Sequence, residues 1–131
     1  MLSQATLSFL DDHCKRAHAA FPEGGTLWTY IEAASQAHTR FKDHRRKPAA
    51  DALDIEELAT WLQAAEGNFG ALLPQAIEQA NTLIDLLRAD LGVDEFLWYY
   101  QNDGDVMNAD IHMARRADNR YFALELWWSF D

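Results

Sequence analysis

The chain has 131 residues and a single cysteine, Cys14, so it is long enough for one domain with its own core and excludes an internal disulfide. Acidic residues outnumber basic ones 21 to 11, for a net charge of −10, which excludes the domain-wide basic footprint that free nucleic acid requires. Every long apolar run is broken by Asp, Glu or Arg, so none suits a membrane span. The opening MLSQATLSFLDDHCK lacks the basic region and apolar core of a signal peptide, and cytoplasmic placement is the expectation.

Ser3, bracketed by Leu2 and Leu7, reads as the N-cap of a first helix. Its apolar stripe runs through Leu7, Leu10, Cys14, Ala17 and Phe21, and Pro22-Glu23-Gly24-Gly25 ends it. Thr26 then caps an expected second helix with the stripe Leu27, Tyr30, Ile31, Ala34, His38 and Phe41. A basic segment from Arg40 to Lys47 follows and stops at Pro48. Asp54 and Glu57 form a capping-box pattern for a third helix that buries Leu58, Trp61, Leu62 and Ala65 and ends at Gly67. Pro74 suits the first turn of a fourth helix, whose stripe is Leu73, Ile77, Ala80, Ile84, Leu87 and Leu91 before Gly92.

The last third changes period. Asp103-Gly104 and Asp118-Asn119 separate three runs rich in aromatic and aliphatic residues, predicting consecutive hairpins with strands at about 96–101, 106–115 and 121–130. With two-residue loops, Trp98 faces Ala109, Ile111 faces Leu126 and Ala109 faces Trp128, so one face of the middle strand is apolar throughout. Trp98, Ile111, Leu126 and Trp128 are the expected core. The expected fold class is therefore α+β, a single domain over 1–131. Four N-terminal helices (about 3–91) pack on a three-stranded antiparallel meander (about 96–130).

The opposite face of the middle strand carries Asn108, Asp110 and His112. The same register sets His112 across from Glu125 and Asp110 across from Trp127. Two carboxylates beside an imidazole can tune a general base or hold a ligand, so a small enzyme or ligand-binding domain using Asp110, His112 and Glu125 is one reading. A flat sheet face with one imidazole suits neither a metal nor catalysis well, and a cross-strand His–Glu contact is the simpler role. His13, Cys14 and His18 project in different directions from one helix and make no common ligand set. No phosphate loop, nucleophile elbow or zinc-ligand pair is present.

Charge carries the other reading. Between Pro48 and Ala114 stand thirteen acids and one basic residue, Arg88. The positive charges gather at 40–47 and at Arg115, Arg116 and Arg120. A field of one sign steers association with a basic protein surface. In size, acidity and lack of a catalytic motif the chain resembles immunity proteins, antitoxins and phage-encoded inhibitors, a likeness of style that carries over no residues. It implies a protein-binding inhibitor of a basic target such as a toxin or nuclease, not an enzyme, with no cofactor, metal, nucleic acid or membrane partner. The chain itself would be a monomer or a homodimer. The expected contact residues are Asp90, Asp94, Glu95, Tyr99, Asp103, Asp105, Asp110, His112, Glu125 and Trp127. Reversing the charge of Asp90, Asp94 and Glu95 is expected to leave the fold intact, since none lies on the helix stripe.

Overall fold

A computed structural model describes residues 1–33, 53–102 and 106–129, including all of their side chains except those of 33, 99–102 and 106. In chain order the elements are α1 (Gln4–Ala20), β1 (Gly25–Ala33), α2 (Ile55–Ala65), α3 (Pro74–Leu91), β2 (Glu95–Asn102), β3 (Val106–Arg115) and β4 (Arg120–Ser129). The fold is α+β. Among the described residues it comprises three helices and one antiparallel sheet of four strands in the order β1-β4-β3-β2.

The expected second helix is the correction. Residues 25–33 form a strand that pairs along its whole length with β4, so the meander gains a fourth strand on its β4 side. The spacing of Leu27, Tyr30 and Ile31 fits a helix, but GTLWTYIEA is rich in β-branched and aromatic residues, which fit a pleated surface better. Period-two burial decides it: Thr26 is buried, and Trp28 and Tyr30 pack on the core, while Leu27 and Thr29 are exposed. The remainder of that expected stripe (Ala34, His38, Phe41) and the basic segment 40–47 lie outside the described residues.

Both hairpins form, with registers two residues away from the two-residue-loop pairing. Trp98 pairs with Ile111 rather than Ala109, and Ile111 with Leu124 rather than Leu126. Arg115 and Arg120 close a four-residue loop in which only Asn119 has positive φ (55°). The expected turn needs positive φ at two successive residues, and Asp118 does not supply it. An even shift preserves the facing of every side chain, so Trp98, Ile111, Leu126 and Trp128 are all buried as the alternation requires.

The helices pack on that apolar face. α1 starts at the Ser3 cap, whose side chain accepts from the Thr6 amide, and buries Thr6, Leu10, His13 and Ala17, a stripe turned one residue from the expected one. Asp54 caps α2 by accepting from the Glu56 and Glu57 amides. Glu57 does not close the capping box; its carboxylate accepts from the Trp98 indole at 2.8 Å, tying α2 to β2. Gly67 ends α2 at φ 93°, and a Cβ there would stand 2.9 Å from that of Ala20, so both backbone and space demand glycine. Buried Gln63 donates to the Ala71 carbonyl and accepts from the Leu73 amide, holding the loop between α2 and α3. Gly92, also left-handed at φ 61°, terminates α3.

Leu126 lies at the centre of this core. Leu126→Ala is expected to lose about 2–5 kcal/mol of stability in urea unfolding, because packing from two layers hinders collapse of the cavity.

Candidate functional site

The sheet has a second face, turned away from the helices. Strand parity sends Asn108, Asp110, His112 and Ala114 of β3 to it, with Ala123, Glu125 and Trp127 of β4 and Leu97 of β2 alongside. The observed register sets Asp110 between Glu125 and Tyr99, and His112 between Ala123 and Leu97. His112 and Glu125 are therefore diagonal neighbours rather than directly opposed. The three side chains proposed together do meet: a carboxylate oxygen of Asp110, one of Glu125 and a ring nitrogen of His112 all lie within 4.8 Å of one another. His112 is fully buried and Asp110 is 8% exposed, while Glu125 is half-buried. A solvated surface patch is thus not what the fold builds here. Leu97, Ala114 and Tyr121 form a small apolar cluster of their own on the same face.

The acids at the end of α3 have structural tasks. Asp90 is half-buried and accepts from the Ser3 amide at 2.9 Å and from the Thr6 hydroxyl at 2.5 Å, fastening the start of α1 to α3. Burial pushes its carboxyl up, but the Ser3 and Thr6 donors outweigh this and hold it below the ordinary value. Asp94 accepts from the Arg116 amide at 3.3 Å, and Glu95 pairs with the Arg116 guanidinium at 3.2 Å. Arg115 in turn donates to the last carbonyl of α3, at Leu91, and pairs with Asp118. Part of the basic charge thus answers acids within the fold. Reversing Asp90, Asp94 and Glu95 together would break these contacts, so the expectation that such a protein stays intact is withdrawn. Asp103 and Asp105 lie outside the described residues, as does the side chain of Tyr99. Trp127 is half-buried opposite Leu27, which is 63% exposed.

A second polar centre was not anticipated. His13 is buried, and its Nδ1 donates to Glu66 at 2.9 Å. Arg16 holds the other Glu66 oxygen, and the His13 ring lies 6.0 Å from that of Trp61. Burial raises the Glu66 carboxyl, yet the hydrogen bonds from His13 and Arg16 prevail and bring it below the usual range. Cys14, half-buried beside this pair, is pushed up to about 11, first by burial and then by the Asp11 charge, so its thiol is unreactive near neutrality. His13 lies one turn from Leu10 and two from Thr6 along the buried stripe of α1.

A concavity of a different kind lies on the helical side of the sheet. A groove of about 610 Å³ runs along α2, lined on its apolar side by Trp61, Phe69, Leu72 and Met107. Asp54, Glu56 and Glu57 form its charged side, and among the described residues no Lys or Arg lines it. Phe69 is 61% exposed although its ring also approaches those of Phe21 and Trp128. The indole N–H of Trp61 is buried and lacks an acceptor among the described residues. Sequence reading assigned Asp54 and Glu57 to a helix cap alone. An aromatic held between Gly67 and Gly70 in a turn was the available sign of an exposed anchor.

Compared with known proteins, the chain matches no family model, no curated protein and no solved structure.

Two outcomes follow from the ionic contacts. A carboxylate held below its ordinary value contributes stability that is complete above the unfolded value, about pH 4.3, and is lost as pH falls through the lower folded value. Glu66→Gln should therefore lower the melting temperature at neutral pH. It should also flatten the part of the acid-induced loss that lies below about pH 4, as read by melting curves taken across that range. Asp90→Ala should cost about 1–3 kcal/mol in urea unfolding through its lost bonds to α1, whereas Asp85→Ala, on the exposed face of α3, should match the parent within error.

Proposed function

We propose that this protein is a small acidic binding protein that inhibits a basic target protein by occupying its surface. The observation that carries the reading is the groove along α2, where among the described residues three carboxylates and no basic side chain border an apolar wall with a protruding aromatic. Such a surface fits a partner segment in which Lys or Arg stands beside an aliphatic or aromatic side chain. Phe69 and the wall around Trp61 supply desolvated contact area, and Asp54, Glu56 and Glu57 supply charge of one sign. The net charge of −10 adds long-range attraction for the same class of partner. The remaining acids nominated from the sequence, Asp110 and Glu125 included, take part through this field rather than through contact. No helix among the described residues is long and apolar enough to cross a membrane.

Paired baits test the reading: the parent protein and Glu56→Lys, whose exposed side chain makes no hydrogen bond or ion pair among the described residues, presented to the native host's proteins. A target captured by the parent alone, basic in charge and inhibited on binding, is the expected result. Its association rate should fall by about tenfold or more as salt shortens the screening length from about 30 Å to below 10 Å. An acidic target, or equal capture by both baits, overturns the proposal.

A further inference from the structure

Three side chains from two adjacent strands converge on one point of the sheet face turned away from the helices. Asp110 and His112 project from β3 and Glu125 from β4, and their ligating atoms lie within 4.8 Å of one another, the one such trio among the described residues. Asp110 and Glu125 stand directly opposite each other, an arrangement in which like charges repel. The neighbours of His112 on this face, Leu97 and Ala123, are themselves buried and apolar. A cation between the two strands can take an oxygen ligand from each carboxylate.

We propose that Asp110, His112 and Glu125 bind a divalent first-row transition ion. Two carboxylate oxygens with one imidazole nitrogen select against magnesium and calcium, which take oxygen ligands throughout. The set also lacks the thiolates common in closed structural zinc sites; three protein ligands instead leave one position open for water or a small anion. Ligands about 2.1 Å from zinc in a tetrahedral array stand about 3.4 Å apart, so the trio closes by little more than about 1 Å on binding. Glu125, half-buried on a long side chain, supplies that movement and marks where the ion enters from solvent. Asn108, two residues before Asp110 on the same face, has a buried amide oxygen without a hydrogen-bond partner among the described residues. Water on the open position is a donor of the kind that oxygen lacks. The site is separate from the groove along α2 and does not depend on the partner proposed for it.

The test titrates the chelator-treated full chain with Zn²⁺ by calorimetry and with Co²⁺ by visible absorption. One saturable ion per chain is expected, with a cobalt spectrum free of the intense sulfur charge-transfer bands that Cys14 would produce. Glu125→Gln and His112→Asn should each weaken zinc by at least about tenfold at unchanged circular dichroism. Cys14→Ser/His18→Ala and Glu56→Lys should leave it unchanged. If His112→Asn fails to fold, Glu125→Gln and the parent's cobalt spectrum decide alone. Absence of saturable binding at micromolar zinc overturns the proposal, as does binding that survives Glu125→Gln or disappears in the Cys14/His18 variant.

Discussion

The alternation of β3 is the constraint on which the rest of the structure depends. It lies inside the sheet, paired on both sides, and its side chains divide strictly between two environments. Ala109, Ile111 and Met113 enter the core under the helices, while Asn108, Asp110 and His112 go to the opposite face. A slip of one residue would exchange the two sets. Each large apolar side chain moved to water costs about 1.5–3 kcal/mol, and the polar set would meet α2 and α3 without partners. Core packing therefore sets the geometry of the polar trio without touching it. A side chain on such a strand is held more rigidly than one on a loop, which is what a small constellation of ligating atoms needs.

Carboxylates fasten the helical layer to the sheet and to itself. Asp90 joins α3 to the start of α1, Glu57 joins α2 to the Trp98 indole of β2, and Glu66 joins the end of α2 to His13 and Arg16 of α1. Each accepts from donors far away in sequence, so each bond forms only once the tertiary structure exists. An acidic chain gains from this arrangement twice. Carboxylates that would repel one another in a compact globule are satisfied by amide, hydroxyl and indole donors, and donors at the surface of the core find acceptors. Of the acids along the groove beside α2, Asp54 caps the helix and Glu57 holds the indole, while Glu56 keeps an exposed side chain whose charge remains available there.

Strands were legible in the C-terminal third because alternation survives any even error in register. The loops were not, because turn type depends on φ at individual residues: Asp118-Asn119 has the composition of a tight turn, yet only Asn119 takes positive φ. β1 was misread because Leu27, Tyr30 and Ile31 satisfy a helical spacing over one turn, and the strand preference of Thr, Trp and Tyr shows only when β4 is there to receive it. The polar trio was found from parity alone. Its pairing was assigned wrongly for the same reason as the loops, and its burial was invisible because exposure of a sheet face is a tertiary property. His13 and Glu66, 53 positions apart, carry no local signal that they meet.

The two candidate sites share one strand and still stand apart physically. Met107 lines the groove on the helical side, and Asp110 and His112 begin the trio three residues later on the other side. For occupancy of one to change affinity at the other, β3 would have to take a second arrangement that both occupants distinguish. Its only discrete alternatives are register shifts, and the odd ones invert the core while the even ones break two ladders at once. A strand so confined transmits little. Ligands at the two sites would thus add their stabilisation independently, and a protein with a filled trio would present the same groove as one without it.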